Sequence, residues 1–381
     1  MNPITLHQPA RVVFGNGCAK DGVELLVQRG VKRILLVTSK SVRPQIEFLI
    51  DGIKKGGVDV IESSFVPPEP AVKFFETILR EARAEKIDSV LGIGGGSVMD
   101  VAKLIAALVN SGQNISEIFG VNLLRARDLF LACLPTTAGT GSEVSPIAVL
   151  LDEAGELKKS IVSPHLVPDA AIIDPLLTLS VPREVTAATG LDALVHCIEA
   201  YANKFAHPIT DNFALRGIKL ICDNLGRAVR DGKNTEARAA VMLGSFYGGL
   251  CLGPVGTAGV HALSYPLGGK FRIAHGVSNA VLLPEVLRFN LSSGAERYAQ
   301  IAVAAGVERE GYALGTAQTG IDRFVKLSRE CGAPQTLSEL KIPREAIPGM
   351  AKAALQVRRL MNNNLRPMTE LDVIGIYEAT F

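Results

Sequence analysis

The sequence predicts an α/β N-terminal domain with a parallel sheet, followed by an all-α C-terminal domain. Its 381 residues are enough for two separate cores. Apolar strand segments alternate with amphipathic helical periods in the first part of the chain, and almost only long helical periods follow Pro182. The pattern changes between residues 176 and 183, so we assign residues 1–180 to the α/β domain and residues 181–381 to the α-helical domain.

The N-terminal pattern is β-α-β-α-β after a first helix. It predicts helices over residues 19–29, 45–55 and 71–85, and strands over residues 33–37, 58–63 and 89–93. Further strands are predicted over 130–134 and 170–173, with a hairpin formed by 145–151 and 159–162. Such alternation requires right-handed crossovers and parallel strands, so we expect a ligand at the carboxyl ends of the strands.

The C-terminal part carries helical periods that predict seven main helices. They cover residues 183–203, 208–230, 235–252, 277–287, 295–305, 312–330 and 369–379. No internal repeat or low-complexity tract interrupts them. This half is therefore expected to be a packed helical domain.

Composition favours a compact enzyme that acts on small molecules. Apolar residues make up 48% of the chain, and its 40 basic and 38 acidic residues are spread without a basic run, so nothing predicts a nucleic-acid or membrane partner. The six cysteines include no C-x-x-C pair, which favours reduced thiols. Because the first residues show no charged segment followed by an apolar one, we expect a cytoplasmic protein.

Four residues suited to a divalent metal lie in the C-terminal half. Asp192 and His196 are four residues apart, which places both on one face of a helix. His261 and His275 are fourteen apart, and we expect the PLGG between them to end a helix and turn the chain back. Any one of these residues alone is more typical of a hydrogen-bonded core position. Together, one carboxylate and three imidazoles predict a metal site with an open position.

Two glycine-containing motifs follow predicted strands. Gly94-Gly95-Gly96 leads into a helix that we expect Ser97 and Asp100 to cap, and a run without Cβ atoms lets a pyrophosphate approach backbone N–H groups. PTTAGTGSE, residues 135–143, offers hydroxyls for a nicotinamide amide, a ribose or a phosphate. Each motif can also be a turn that stabilises itself without a ligand.

These motifs resemble the iron-containing, or group III, alcohol dehydrogenase family over essentially the whole chain. The resemblance is carried by GGGS-x-x-D at 94–100, PTTAGTGSE at 135–143, D-x-x-x-H at 192–196, H-x13-H at 261–275 and the closing LRPMTELDVIGIYEATF. It implies a dehydroquinate synthase-like fold, with a dinucleotide-binding N-terminal domain and a metal-binding, catalytic C-terminal domain. By this similarity Fe²⁺, or Zn²⁺ in its place, is held by Asp192, His196, His261 and His275. The implied cofactor residues are Gly95, Gly96, Ser97, Asp100, Thr136, Thr137 and Thr140, with Lys158 as a further contact.

The activity implied by the resemblance is that of an NAD(P)-linked alcohol dehydrogenase or aldehyde reductase. Hydride would pass between nicotinamide C4 and a carbonyl carbon whose oxygen the metal polarises. A homodimer that acts on a small alcohol or aldehyde is expected. Two alternatives stay open: an oxidoreductase resembling maleylacetate reductase, and a metal-dependent lyase or cyclase of the dehydroquinate synthase type.

Two positions depart from the family pattern. Ser39 stands where many members have an acidic residue that binds the adenosine ribose, so both NADP and NAD are plausible cofactors. Tyr265 stands where alcohol-reducing members commonly carry a histidine proposed to relay a proton, and we predict a catalytic role for its hydroxyl. His165 and His207, each beside a proline, are expected at the surface.

Overall fold

The computed structural model describes residues 3–153, 155 and 157–381. The chain divides into two compact units. The N-terminal unit comprises Leu6–Thr137 and Gly141–Ser180. The C-terminal unit comprises Val181–Phe381 together with Ala138–Thr140 and the segment that ends at Thr5.

The N-terminal unit contains two sheets. Its strands are β1 (Arg11–Phe14), β2 (Arg33–Thr38), β3 (Asp59–Glu62), β4 (Ser89–Gly94), β5 (Gly120–Val121), β6 (Phe130–Pro135), β7 (Ile147–Asp152), β8 (Leu157–Val162) and β9 (Ala170–Ile173). The larger sheet has the order β1-β9-β6-β4-β2-β3, and all its pairs are parallel. The smaller sheet has the order β5-β8-β7, with β7 and β8 antiparallel. The predicted parallel sheet is thus confirmed.

Helices cover both faces of the parallel sheet. They are α1 (Ala19–Gln28), α2 (Glu47–Lys55), α3 (Val72–Ala84) and α4 (Gly96–Leu108). Alternate residues of β2 enter different cores: Ile34 and Leu36 pack with residues of α1 and α2, whereas Leu35 and Val37 pack with residues of α3 and α4. A strand buried on both faces is the expected consequence of parallel crossovers, and it explains the continuous apolar run of β2.

The C-terminal unit is helical. Its helices are α5 (Arg183–Tyr201), α6 (Pro208–Arg230), α7 (Thr235–Leu252), α8 (Gly259–Phe271), α9 (His275–Ala304), α10 (Ala313–Glu330), α11 (Ile347–Leu355), α12 (Arg358–Asn363) and α13 (Glu370–Ala379). Helix α5 packs against α6, α7, α8 and α9, and nearly all of its residues from Ala187 onward are buried. Within the described ranges, no helix has both the length and the apolar composition needed to cross a membrane.

Three features of the structure differ from what the sequence predicts. The two helices predicted over 277–287 and 295–305 are the two parts of α9 on either side of Gly294, where the backbone is not helical, but the first part begins at His275 and continues beyond residue 287. Strand β1 was not predicted, because its four residues are mostly exposed at the edge of the sheet and show no buried pattern. His207 is buried rather than exposed, and its Nδ1 caps α6 by accepting a hydrogen bond from the N–H of Ile209.

Candidate metal and cofactor sites

Helix α5 supplies the first two predicted metal ligands. Asp192 and His196 are 3% and 6% exposed and lie one turn apart, with His196 Nε2 3.9 Å from Asp192 Oδ1. Within the ranges that the structure describes, no lysine or arginine forms an ion pair with Asp192. A carboxylate buried without a permanently charged partner is costly unless a cation joins it.

Helices α8 and α9 bring the other two ligands to Asp192. The Nε2 atoms of His261 and His275 each lie 3.7 Å from Asp192 Oδ1. One ligand atom from each of these three residues lies within 4.8 Å of the others. The His196 ring stacks on the His261 ring with centroids 4.8 Å apart, so the structure brings all four predicted residues together.

The turn that returns His275 to the cluster is shorter than predicted. PLGG does not end the helix, because α8 continues through Pro266 and both glycines to Phe271. Arg272 then adopts a left-handed conformation with φ of 58°, and its N–H donates to the carbonyl of Gly268. Three residues, 272–274, therefore connect α8 to His275 at the first position of α9.

Close approach of α9 to α5 depends on Gly276. A Cβ at this position would lie 2.0 Å from the backbone oxygen of Ala188 and 3.2 Å from Cβ of Asp192. No other residue type fits without moving one helix. The glycine next to His275 therefore sets the distance between the histidine and the α5 carboxylate.

Among the described residues, the polar side chains of Glu199 and Asn279 also contact the cluster, and neither was predicted from sequence. Glu199 Oε2 lies 2.6 Å from His261 Nδ1, and Asn279 Nδ2 donates to Asp192 Oδ1 over 2.7 Å. Asn279 Nδ2 also lies 3.2 Å from His261 Nε2 and 3.4 Å from His275 Nε2. A signal for both was present, because Glu199 lies three residues after His196 and Asn279 four after His275, on the same helix faces.

The electrostatics of the cluster suit a metal. Burial raises the pKa of Asp192, but the three imidazoles around it and the Asn279 amide outweigh burial and lower the pKa to about 2. Burial lowers the pKa of His196, against the opposing effect of the carboxylate. An ionised carboxylate and a neutral imidazole are the forms that bind a divalent cation. His196 Nδ1 is buried and has no hydrogen-bond partner in the described part of the chain.

The four predicted metal ligands differ in the exposure of their side chains to solvent. The side chain of His275 is 27% exposed, whereas those of Asp192, His196 and His261 are each at most 7% exposed. Tyr265, one turn after His261, is buried, and its ring centroid lies 6.1 Å from that of His275. The donor set fits a divalent metal, with His275 on the more accessible side.

In the N-terminal unit, the predicted cofactor residues follow three neighbouring strands. Ser39 comes directly after β2, Gly95 after β4 and Thr136 after β6, and these strands pair in register as Thr38 with Ile93 and Gly94 with Pro135. The carboxyl ends of parallel strands are where a dinucleotide is expected. Thr140 falls in the segment Ala138–Thr140, which clusters with the C-terminal unit.

The start of α4 offers uncapped backbone donors. Gly95 is the N-cap residue, and no side chain caps the helix, so the predicted cap by Ser97 and Asp100 is wrong. The helix begins at Gly96, too early for Ser97 to precede it, and Ser97 Oγ instead accepts from the N–H of Glu69 over 3.4 Å. A Cβ at Gly95 would lie 3.2 Å from Thr137 Oγ1, so the glycine keeps space open beside the helix end. These features fit a pyrophosphate.

Asp100 and Lys158, two of the predicted cofactor residues, also contact other protein groups. Asp100 accepts from Ser142 Oγ over 2.6 Å and from the N–H of Val149 over 3.0 Å. It thereby anchors the end of the PTTAGTGSE loop to α4. Lys158 Nζ lies 2.6 Å from Glu69 Oε1. Both residues therefore have structural contacts in addition to the cofactor role predicted for them.

Comparisons with known proteins agree with this arrangement. The model described as "Iron-containing alcohol dehydrogenase" matches residues 9–175, and the model described as "Fe-containing alcohol dehydrogenase family, C-terminal" matches residues 186–381. Long-chain-alcohol dehydrogenase 1 of Geobacillus thermodenitrificans is 38% identical, over 98% of this chain and 97% of its own. The NAD-dependent methanol dehydrogenase of Bacillus methanolicus is 34% identical, over 91% of this chain and 92% of its own. A crystal structure of 1,3-propanediol oxidoreductase superimposes with a TM-score of 0.96 at 33% identity over all of both chains.

Proposed function

Since this chain belongs to the iron-containing alcohol dehydrogenase family and is a metal-dependent, NAD-linked oxidoreductase acting on CH–OH groups, we propose that its substrates are simple primary alcohols and their aldehydes. The relatives reported above are named for long-chain alcohols, methanol and 1,3-propanediol, and the last two are primary alcohols. The observation that carries the proposal is the convergence of the Asp192, His261 and His275 donor atoms, with the His196 ring stacked against them.

The proposed metal ligands are Asp192, His196, His261 and His275. When bound there, Fe²⁺, or Zn²⁺ in its place, supplies a Lewis acid that polarises a carbonyl oxygen. The chain itself provides the buried negative charge of Asp192, and Asn279 holds that carboxylate in place with its amide. The greater exposure of His275 favours approach of the substrate from its side.

The proposed cofactor residues are Ser39, Gly95, Gly96, Ser97, Asp100, Thr136, Thr137, Thr140 and Lys158. When bound, a nicotinamide dinucleotide supplies or accepts the hydride. The free N–H groups at the start of α4 suit its pyrophosphate, and the threonine hydroxyls suit its amide and ribose groups. Asp100 supports this region indirectly through Ser142 and Val149, and Lys158 is paired with Glu69.

The chain's choice between NADH and NADPH is proposed to depend on Ser39. This residue is half-buried at the carboxyl end of β2, followed by the exposed Lys40. Without a carboxylate at position 39, a 2′-phosphate is not repelled, and a hydroxyl and an ammonium group can bind it. We therefore include NADP among the cofactors that this chain accepts.

Tyr265 is proposed to pass a proton between the reacting oxygen and solvent. It is on α8, four residues after His261, and its ring lies 6.1 Å, centroid to centroid, from that of the more exposed proposed ligand, His275. A phenol that exchanges its proton can serve where relatives use imidazole. We also propose that the protein is located in the cytoplasm and forms a homodimer.

The test is an assay of the purified, Fe²⁺-loaded protein with straight-chain aldehydes, following oxidation of NADH and of NADPH separately. We expect reduction of several aldehydes and the reverse reaction with the matching primary alcohols. Failure of every aldehyde and alcohol in a panel from one to twelve carbons, with metal bound at one ion per chain, would contradict the proposed substrates.

A further inference from the structure

Glu199 is a buried carboxylate that belongs to none of the predicted ligands. It is 4% exposed and lies on α5, seven residues after Asp192 and three after His196. The three residues therefore share one face of α5. Among the described residues, Glu199 forms an ion pair with His261 and none with a lysine or an arginine.

Both oxygens of Glu199 accept hydrogen bonds from the start of α8. Oε1 accepts from the N–H of Val260 over 2.5 Å, and Oε2 accepts from the N–H of Ala258 over 2.9 Å. Ala258 is the N-cap residue of α8 and provides no side-chain cap itself. Glu199 thus caps α8 from a neighbouring helix, at the positive end of the helix dipole.

The same contacts determine which nitrogen of His261 carries the proton. Because each Glu199 oxygen already accepts from a backbone N–H, the 2.6 Å contact with His261 Nδ1 is best made with Nδ1 as the donor. Asn279 supports this from the other side, because its Nδ2 donates towards His261 Nε2. Nε2 then keeps its lone pair and faces Asp192, 3.7 Å away.

We propose that Glu199 is a positioning residue that fixes the tautomer and the orientation of His261 before a metal binds, and that it ties this ligand to the start of α8. The proposal rests on the metal site proposed above. A hydrogen bond from a ligating imidazole to a carboxylate also makes the imidazole a better donor to the metal. Loss of the carboxylate should therefore weaken metal binding even where the helix still forms.

A residue that only caps α8 would behave differently, and Asn363 offers a matched control. Its Nδ2 donates to the carbonyls of Thr257 over 2.8 Å and of Val255 over 3.4 Å, just before α8. The structure gives Asn363 no hydrogen bond to any of the four proposed metal ligands. Asn363→Ala should loosen the segment before α8 and leave the His261 imidazole held by Glu199.

The experiment compares the wild type, Glu199→Gln and Asn363→Ala. The affinity for Zn²⁺ is measured by competition with a chelator, and the histidine tautomers of the metal-free proteins are read from ¹⁵N NMR with ¹⁵N-histidine labelling. We expect the Nδ1–H tautomer for His261 in the wild type and in Asn363→Ala. In Glu199→Gln we expect a mixture of tautomers and an affinity roughly 10- to 100-fold weaker.

Three results would overturn the inference: the Nε2–H tautomer in the metal-free wild type, wild-type affinity in Glu199→Gln, or equal losses of affinity in the two variants. The tautomer of His261 is measured in the wild type, so this result tests the role of Glu199 even if Glu199→Gln does not fold. If the wild type binds neither Zn²⁺ nor Fe²⁺, the proposed metal site is wrong. The tautomer measurement then still tests the role of Glu199 separately.

Discussion

Gly276→Ala should displace a proposed metal ligand without changing any ligand. The new Cβ would lie 2.0 Å from the Ala188 oxygen, and real Cβ atoms essentially never come closer than 3.0 Å to another heavy atom. Because the obstacle is helix backbone rather than a flexible side chain, the start of α9 must move by at least about 1 Å. Metal–ligand distances tolerate about 0.2 Å, so His275 would leave bonding range.

The expected magnitude follows from this displacement. Overpacking of this kind costs about 1–3 kcal/mol in the free energy of unfolding, and metal affinity should fall at least about tenfold. The assays are urea unfolding of the metal-free protein and chelator competition for the metal. Gly375→Ala is the control, because Gly375 is an exposed residue of α13 whose added Cβ meets nothing within 4 Å. A Gly276→Ala protein with wild-type stability and affinity would refute the packing argument.

Three other substitutions test the cofactor preference, the proton relay and the protonation of a buried carboxylate. Ser39→Asp should raise KM for NADPH much more than KM for NADH, and equal effects in steady-state kinetics would show that position 39 does not face the ribose. Tyr265→Phe should lower kcat by about tenfold or more with unchanged metal content, whereas wild-type kcat would make Tyr265 a packing residue. Burial raises the pKa of Glu143 from 4.5 to about 7, opposed by its own backbone N–H and by Lys103. The folded state therefore retains a proton that the unfolded state loses, and stability should fall between about pH 4.5 and 7. Glu143→Gln should remove up to about 3 kcal/mol of this pH dependence in urea unfolding at pH 5 and pH 8, and an unchanged difference would contradict the raised pKa.

The alternating part of the fold was predictable from sequence because burial on both sheet faces produces apolar runs. Strands β2, β4, β6 and β9 were predicted with ends within one residue of those observed. The exposed strand β1 has no such pattern and owes its place to pairing with β9. Pairing between distant segments leaves no local signal for a short edge strand.

Helix ends in the C-terminal unit were harder to predict. The PLGG segment has strong breaker residues, yet tertiary packing keeps it helical, since every residue from Gly259 to Gly269 is buried. The helix ends instead at Phe271, and the next residue, Arg272, forms a left-handed cap although it has no sequence signature for one. The break at Gly294 was predicted, but the helix before it begins two residues earlier and continues further than the predicted residues 277–287.

Spacing and chemistry alone lead to the four proposed metal ligands, but they do not lead as readily to the residues that contact these ligands. Glu199 and Asn279 have the periodicity of their helix faces, yet a glutamate or an asparagine on a helix is usually solvated. Their roles depend on contacts with His261 and Asp192 across helices, which only the assembled fold reveals. The close approach at Gly276 is invisible in the sequence for the same reason.

We propose that a divalent metal held by Asp192, His196, His261 and His275 is required for the dehydrogenase activity. Its most direct test is aldehyde-dependent NADH oxidation by chelator-treated protein during titration with Fe²⁺, in the wild type, His261→Ala and a His165→Ala control. We predict that wild type and His165→Ala regain activity in proportion to bound metal, up to one ion per chain. His261→Ala should bind metal weakly and remain largely inactive. Full activity of the metal-free wild type, or full activity and metal content in His261→Ala, would contradict the claim.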